Sequence, residues 1–452
     1  LALSALPALA AVPALAVALR FVAVDTGLGE ALRGAQLAVV PAALAFGCAY
    51  ALLLLGAVRL LSLGLRPGLH PTHSRTGWQA WTVTQLMDAA RQTLFPLYAG
   101  LVTPLWLRLL GMKIGRGAEV STVLALPSLT TVGDGAFLAD DTLTAPYELG
   151  GGWVRIGRAA IGRRAFLGNS GMTGPGRSVP DGGLVGVLSA TPKKAKKGTS
   201  YLGLPPMKLP RAPEGGDHSR TYDPPARLLW ARGAVELFRL VPVFCSAALA
   251  VLTGGVLCAL AGATGVGWWA AAALSGAVLL GAGIVGALAA VAAKWLLVGR
   301  HRAGEHPLWS GFVWRDELAD TFVEVVAVPW LIGAVPGTPL MTLWLRGLGA
   351  RVGRGVWCES YWLPETDLVT LGSAVSVNRG CVLQTHLFHD RILRMDKVAL
   401  GAGSTVGPGG IVLPGSTVGA RATLGPASLV MAAESVPDDT RWLGNPIEAW
   451  RS

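Results

Sequence analysis

Hydrophobic positions in this 452-residue chain follow two regimes. Leu1–Leu19, Leu37–Val58 and Leu240–Ala293 run without a charge. A bilayer core takes about 20 helical residues, so each of the first two stretches predicts one span. The third is long enough for two, with Thr264–Gly267 as the connection and Trp268 and Trp269 at headgroup level. The expected membrane part is therefore four spans in two hairpins. Elsewhere the rhythm changes. Leu400, Val406, Val412, Val418, Leu424 and Val430 recur every sixth residue, and Gly401, Gly407, Gly419 and Gly425 follow four of them. Neither a helix nor an alternating strand has that period. A triangular prism of stacked coils does, with the aliphatic residue inside and the adjacent glycine at the corner. Leu371, Val377 and Leu383 keep the spacing upstream, and Gln384–Lys397 interrupts it as a loop. Ile161, Leu167, Thr173, Val179 and Val185 form a second, shorter ladder, so an earlier domain reads as a degenerate copy.

The two halves also repeat at larger scale. Leu105–Gly117 recurs as Leu343–Gly355 with nine of thirteen positions identical, His70-Pro71 recurs as His306-Pro307, and Leu129–Gly133 matches Leu368–Gly372. The unit is a hairpin, a connecting region and a soluble domain, present twice. The expected organisation is membrane hairpin 1–65, interfacial helices 66–110, degenerate β-helix 111–204, Pro-rich linker 205–239, membrane hairpin 240–299, interfacial helices 300–348 and β-helix 349–452. The connecting regions read equally as helices lying on the membrane or as a helical lid on the soluble domain. The fold class is membrane α-helical hairpins plus two left-handed parallel β-helix domains.

Composition sharpens this picture. The chain is 52% hydrophobic and 14% charged, well short of the roughly 25% charged residues of soluble domains. The net charge of +11 reads first as membrane-side Lys and Arg, and nothing suggests a nucleic-acid partner. Arg20, Asp25, Glu30 and Arg33 in the first hairpin loop cancel, whereas Arg59, Arg66, Arg75, Arg227, Arg232, Arg239, Lys294, Arg300 and Arg302 crowd the opposite ends. The positive-inside rule then places both soluble domains in the cytoplasm, beneath the cell membrane. Five cysteines without a paired spacing fit a reducing compartment. The chain starts with Leu inside an apolar run and reads as part of a longer polypeptide. Lys193–Lys197 reads as a solvated loop or as a contact for anionic lipid or an acidic partner.

Candidate chemistry gathers in the interruption, Gln384–Arg391 (QTHLFHDR), which holds two of the seven histidines. A neutral histidine can accept a proton from an attacking amine, and an acidic neighbour can fix its tautomer. His386, His389, Asp390 and Glu359 are the catalytic candidates. Glu365, Asp367, Asn378, Gln384, Arg391 and Asn169 are candidates for substrate contact. A purely structural role for the histidines stays open. A metal site built from His386, His389, Asp390 and Cys381 is weakly supported, and none is expected. The matching stretch of the first domain, Leu143–Leu149, has Tyr147 near the place of His386 and no histidine, so chemistry is expected in the second domain only.

The repeated WLR element, GNSGM, LVGVLSATP, YWLPETDLV, NRGCVLQTHLFHDR, LGPASLVM and LGNP make the chain resemble the C-terminal region of membrane-bound non-ribosomal peptide synthetases of the ε-poly-L-lysine synthetase type. The resemblance covers nearly the whole chain. It implies upstream adenylation and carrier domains, a third homologous unit, possible homo-oligomers, and peptide-bond formation that yields a short homopoly(amino acid). The acyl donor would be an aminoacyl thioester on the carrier's phosphopantetheine arm, with no cofactor bound by the chain itself. The resemblance further implies His386 as general base, with His389 and Asp390 orienting it. A membrane-tethered acyltransferase using coenzyme A, an export module and an inert scaffold remain as alternatives.

Overall fold

The computed structural model describes residues 2–450 except 23–26, 146, 212–216 and 264–266. Asp25 and most of the expected Thr264–Gly267 connection lie outside the described residues. Three helical stretches are long and apolar enough to cross a membrane: Leu28–Leu61, Ala226–Gly262 and Trp268–Leu297. The first apolar stretch forms a shorter helix, Ala2–Ala18, with Pro7 and Pro13 inside it. Its 17 residues rise about 26 Å, less than the hydrocarbon thickness of about 30 Å. Glu30 and Arg33, expected in a loop, sit in the first turns of Leu28–Leu61.

Both soluble domains are parallel β-helices with three faces. In the second, Arg351–Val352, Val369–Leu371, Val398–Leu400, Thr417–Val418 and Ser435–Val436 stack on one face. A second face runs from Trp357–Cys358 to Arg441–Leu443, and a third holds Val382–Leu383, Ile411–Val412 and Leu429–Val430. Leu400 lies in register with Val418, three hexads on, and Val406 with Leu424. Leu400, Val406, Val412, Val418, Leu424 and Val430 are all buried in one core.

The corner is not where the glycine rule put it. Positive φ recurs at Gly403, Gly409, Gly415, Arg421, Ala427, Ala433 and Asp439, three residues after each ladder position. Gly401 serves another purpose: a Cβ there would lie 2.6 Å from the amide nitrogen of Ala420 in the next coil. The glycine beside the aliphatic residue thus permits close stacking of coils rather than the turn itself.

The first domain is a fuller copy than its sequence suggested. Its ladder begins at Ile114 and continues through Val120, Leu126, Val132, Leu138 and Thr144 before the run from Ile161. A hairpin, Glu148–Gly150 and Trp153–Ile156, interrupts it. The second domain has the corresponding hairpin, His386–His389 and Ile392–Met395, in place of the expected loop. Each hairpin gains a third, antiparallel strand from the connecting region: Gly68–Pro71 in the first unit and Gly304–Pro307 in the second. The connecting helices act as lids. Ala80, Val83, Leu86, Met87 and Ala90 of Arg75–Thr93 share one core with β-helix residues Val120, Val132 and Leu138 and with Tyr50, Leu54 and Val58 of the long apolar helix. The region 205–239 is likewise more than a linker, for Met207–Pro210 pairs with Thr199–Leu202 and Ala226–Leu237 is helical.

The second hairpin docks onto the first β-helix. Arg391 at its turn is buried and donates to the carbonyl oxygens of Gly117, Gly135 and Thr221, with its guanidinium 4.5 Å from the Tyr222 ring centre. Phe388 meets Phe137 at 5.1 Å, and Phe137 stacks on Phe166. Asn445 donates to the Leu188 carbonyl farther along the contact.

Leu400→Ala should cost about 2–5 kcal/mol of unfolding free energy in a denaturant titration, because it empties a buried ladder position. Leu149→Ala, at an exposed site of the first hairpin, should leave the curve within about 0.5 kcal/mol.

Candidate functional site

Docking of the hairpin encloses a cavity of about 210 Å³ between the two β-helices, with the helix Gly311–Phe322 across one side. The first domain contributes Glu119, Ser121, Phe137, Asp140 and Asn169. The second contributes Tyr361, Trp362, Glu365, Gln384, His386 and Phe388. The wall helix and the π-helical turn after it, Val323–Ala327, add Asp316, Glu317, Asp320 and Glu324. A π-turn inside a helix often marks a functional site, since it re-aims the side chains it carries.

At the centre, His386 Nδ1 lies 2.7 Å from Glu365 Oε1. Glu365 is buried, and its other oxygen accepts from the Thr385 hydroxyl at 2.5 Å. Glu365 adopts φ +38°, a left-handed conformation that costs a non-glycine residue roughly 1–3 kcal/mol and must be held by its surroundings. With Nδ1 bonded to a carboxylate, Nε2 is the nitrogen left to meet a substrate, and no protein group bonds it among the described residues. Burial disfavours the imidazolium, but the Glu365 carboxylate outweighs it and pushes His386 up to about 9. Burial would raise Glu365, whereas His386 and Thr385 hold it below the usual carboxylate range.

The wall helix is strongly acidic. Asp316, Asp320 and Glu324 are spaced by four and so share a side. Asp320 opens into the cavity, and its carboxyl has no hydrogen-bond or ion-pair partner among the described residues. Burial, then the neighbouring Asp316 and Glu365, drives its carboxyl well above the ordinary value. Burial lifts Glu324 to about 7, and Tyr361 donates to it at 3.4 Å. Glu317 is also raised to about 7 by burial, although Arg239 pairs with it at 3.1 Å. Arg232 balances Glu119 and Glu236 on the opposite side. A cavity whose wall-helix carboxyls are pushed toward their neutral forms is prepared to take a cation and release protons.

The residues singled out in the sequence divide. His386, Glu365, Gln384 and Asn169 line the cavity. His389 and Asp390 lie at the hairpin turn and contact Arg211, so Glu365, not Asp390, orients His386. Glu359 accepts from the Arg379 amide, and Asn378 donates to the Val406 carbonyl at 2.7 Å, both along the β-helix. Arg391 is the docking residue, and Asp367 binds Lys294 and His301, which line the cavity's edge. Tyr147 packs against the first domain's core. Among the described residues no group of three His, Cys, Asp or Glu side chains could hold a metal.

Sequence reasoning missed the wall helix and His301. A signal existed in the repeat. Counting from His70-Pro71 and His306-Pro307, Asp316, Asp320 and His301 stand where the first unit has Ala80, Thr84 and Leu65. Counting from Leu129 and Leu368, Glu365 and Asp367 stand where it has Leu126 and Ser128. The first unit folds the same way without any of these ionisable groups, so the second keeps them for something other than its fold.

Glu365→Gln should drop the His386 pKa from about 9 toward the ordinary histidine value, because burial is then opposed only by the lesser pull of Asp316 and Asp140. Histidine ring NMR titration reads this directly.

No family model matches the chain. It is 33% identical over 399 residues to delta-poly-L-ornithine synthetase of Acinetobacter baumannii (strain AB307-0294), a match covering 85% of this chain and 29% of that protein. The chain thus spans less than a third of that relative's length. Among solved structures, a hexapeptide-repeat acetyltransferase from Vibrio cholerae is 21% identical, covering 24% of this chain and 64% of that one, with a TM-score of 0.20. A galactoside acetyltransferase in complex with coenzyme A is 14% identical over 38% of this chain and 82% of that one, with a TM-score of 0.22. Over most of its length, the chain is a homologue of one segment of a poly(amino acid) synthetase.

Proposed function

We propose that the inter-domain cavity forms amide bonds between an aminoacyl thioester and the amine of an amino acid or growing chain. The observation that carries this reading is the His386–Glu365 pair facing a half-open acidic cleft between the two domains. The acceptor's neutral amine attacks the thioester carbonyl, a C–N bond forms, and the C–S bond breaks. His386 Nε2 takes the amine proton and returns it to the departing thiolate, while Glu365 fixes the tautomer and stabilises the imidazolium. The donor is a phosphopantetheine thioester on a carrier domain, and the soluble domains face the cytoplasm.

The acidic wall gives the acceptor's class. Asp316, Asp320 and Glu324 suit an amino acid with a cationic side chain, in keeping with the ornithine in the relative's name. A cation held there also lowers the His386 pKa, because like charges repel. Substrate entry therefore readies the base by helping to strip its resting proton.

In the full-length protein, His386→Ala should lower polymer formation by about 10²–10⁴-fold while thioester loading is unchanged. Polymer formation at the wild-type rate would overturn the assignment. L-Ornithine binding should release protons, seen in calorimetry as a heat that depends on the buffer, because the wall carboxyls are raised when the cavity is empty. Asp320→Asn should diminish that release.

A further inference from the structure

At the edge of the cavity, with Lys294 and His301 on its lining, runs a chain of ionic contacts that the proposed chemistry leaves unexplained. Lys294, near the end of the helix Trp268–Leu297, places Nζ 2.5 Å from Asp367 Oδ2. The same oxygen accepts from the His301 backbone amide at 2.9 Å and lies 3.0 Å from His301 Nδ1. His301 Nε2 then lies 2.8 Å from Oδ1 of Asp316, which lines the cavity. Lys294, His301 and Asp316 are buried, and the Asp367 side chain is 5% exposed.

The assembly is tightly fitted. A Cβ at Gly349 would come within 2.3 Å of Asp367 Oδ1, so only glycine fits there. With a carboxylate on each ring nitrogen, His301 donates from both and is an imidazolium. Burial opposes that charge, but Asp316 and Asp367 hold it up to about 10. Buried ion chains are a poor source of stability, because desolvation offsets the attraction. The first unit confirms that the fold does without this one, having Leu65, Ala80 and Ser128 at the positions of His301, Asp316 and Asp367.

We infer that Lys294, Asp367 and His301 form a positioning relay that holds the Asp316 carboxylate oriented and ionised for the ammonium group of the incoming amino acid. The inference rests on the cation-binding reading of the cavity. Asp316 faces Glu365 and His386 from the second β-helix, Asp320 from its own helix, and His301 from behind. Without His301 the cations left near it are already paired, His386 with Glu365 and Lys294 with Asp367. A buried carboxyl so placed takes up a proton at neutral pH. The relay also ties the cavity floor to a helix of membrane-spanning length through Lys294.

The test is L-ornithine binding to the whole chain in detergent, by calorimetry across pH, with His301→Leu, Lys294→Met and Lys294→Arg. In the unaltered chain the affinity should rise with pH only as Asp320, Glu324 and His386 give up protons, with Asp316 held ionised by its contacts. His301→Leu should weaken binding by about ten-fold or more at the acid end and recover as pH rises through the freed Asp316 carboxyl. Lys294→Met should shift the profile the same way, and Lys294→Arg should restore it. A His301→Leu profile that superimposes on that of the unaltered chain, or lies below it by an equal amount at every pH, overturns the relay. His386→Ala separates the two ideas: it should keep binding and lose polymer formation. Failure of the unaltered chain to bind L-ornithine sinks the cation reading itself, with or without a relay.

Discussion

The site depends on one buried guanidinium. Arg391 places its charge among backbone carbonyls of the first β-helix and over the Tyr222 ring, and so fixes the second hairpin against another domain. Burying an arginine is costly unless its donors are met, and Nε remains without a partner here. That cost is borne at a contact between domains, where geometry matters more than stability. His386 opens the hairpin whose turn holds Arg391, with Phe388 on Phe137 between them. The position of the base is thus set by the first domain, which has no histidine of its own in this place. Without docking, His386 would stand on a free hairpin and the cavity would lack half its wall.

The two units show what duplication makes possible. Their β-helices share the six-residue ladder, the hairpin insertion and a lid helix that starts after a serine, Ser74 in one and Ser310 in the other, although only Ser74 accepts a capping bond. Where the second unit has His301, Asp316, Asp320, Glu365 and Asp367, the first has Leu65, Ala80, Thr84, Leu126 and Ser128. Leu65, Ala80 and Leu126 belong to a dry, continuous core. One copy spends its interior on packing and offers a surface, while the other gives up packing for ionisable groups and offers chemistry. The desolvation that makes such groups expensive also shifts them, raising Asp320 and Glu324 and opposing the Glu365-driven rise of His386.

Periodicity made the fold legible where it was uninterrupted. Leu400 to Val430 announced a prism because six-residue spacing admits no other regular structure. The equally regular run from Ile114 to Thr144 escaped notice, since Thr144 ends it with a polar residue and the hairpin then breaks the count. The glycines were seen but assigned to corners, because sequence alone does not separate a left-handed turn from a close approach between coils. At the site, His386 was legible as a histidine on an excursion from the ladder. Its partner was not, since Glu365 lies a coil earlier and local proximity favoured Asp390. The acidic wall read as a helix lying on the membrane or as a lid, because its aromatic and apolar content fit either. Only the docked geometry turns Asp316, Asp320 and Glu324 toward a shared space.

The central claim is that one cavity, walled by both β-helices, is where acyl transfer occurs. The most direct measurement is the position of a bound, non-hydrolysable thioether analogue of a carrier-linked aminoacyl pantetheine, determined by electron cryomicroscopy of the full-length protein. The account predicts the analogue threaded between the two domains, with the carbon that replaces the thioester carbonyl beside His386 Nε2 and its amino group toward the acidic wall. An analogue seated on the outer face of either β-helix, with the cavity empty, would contradict it.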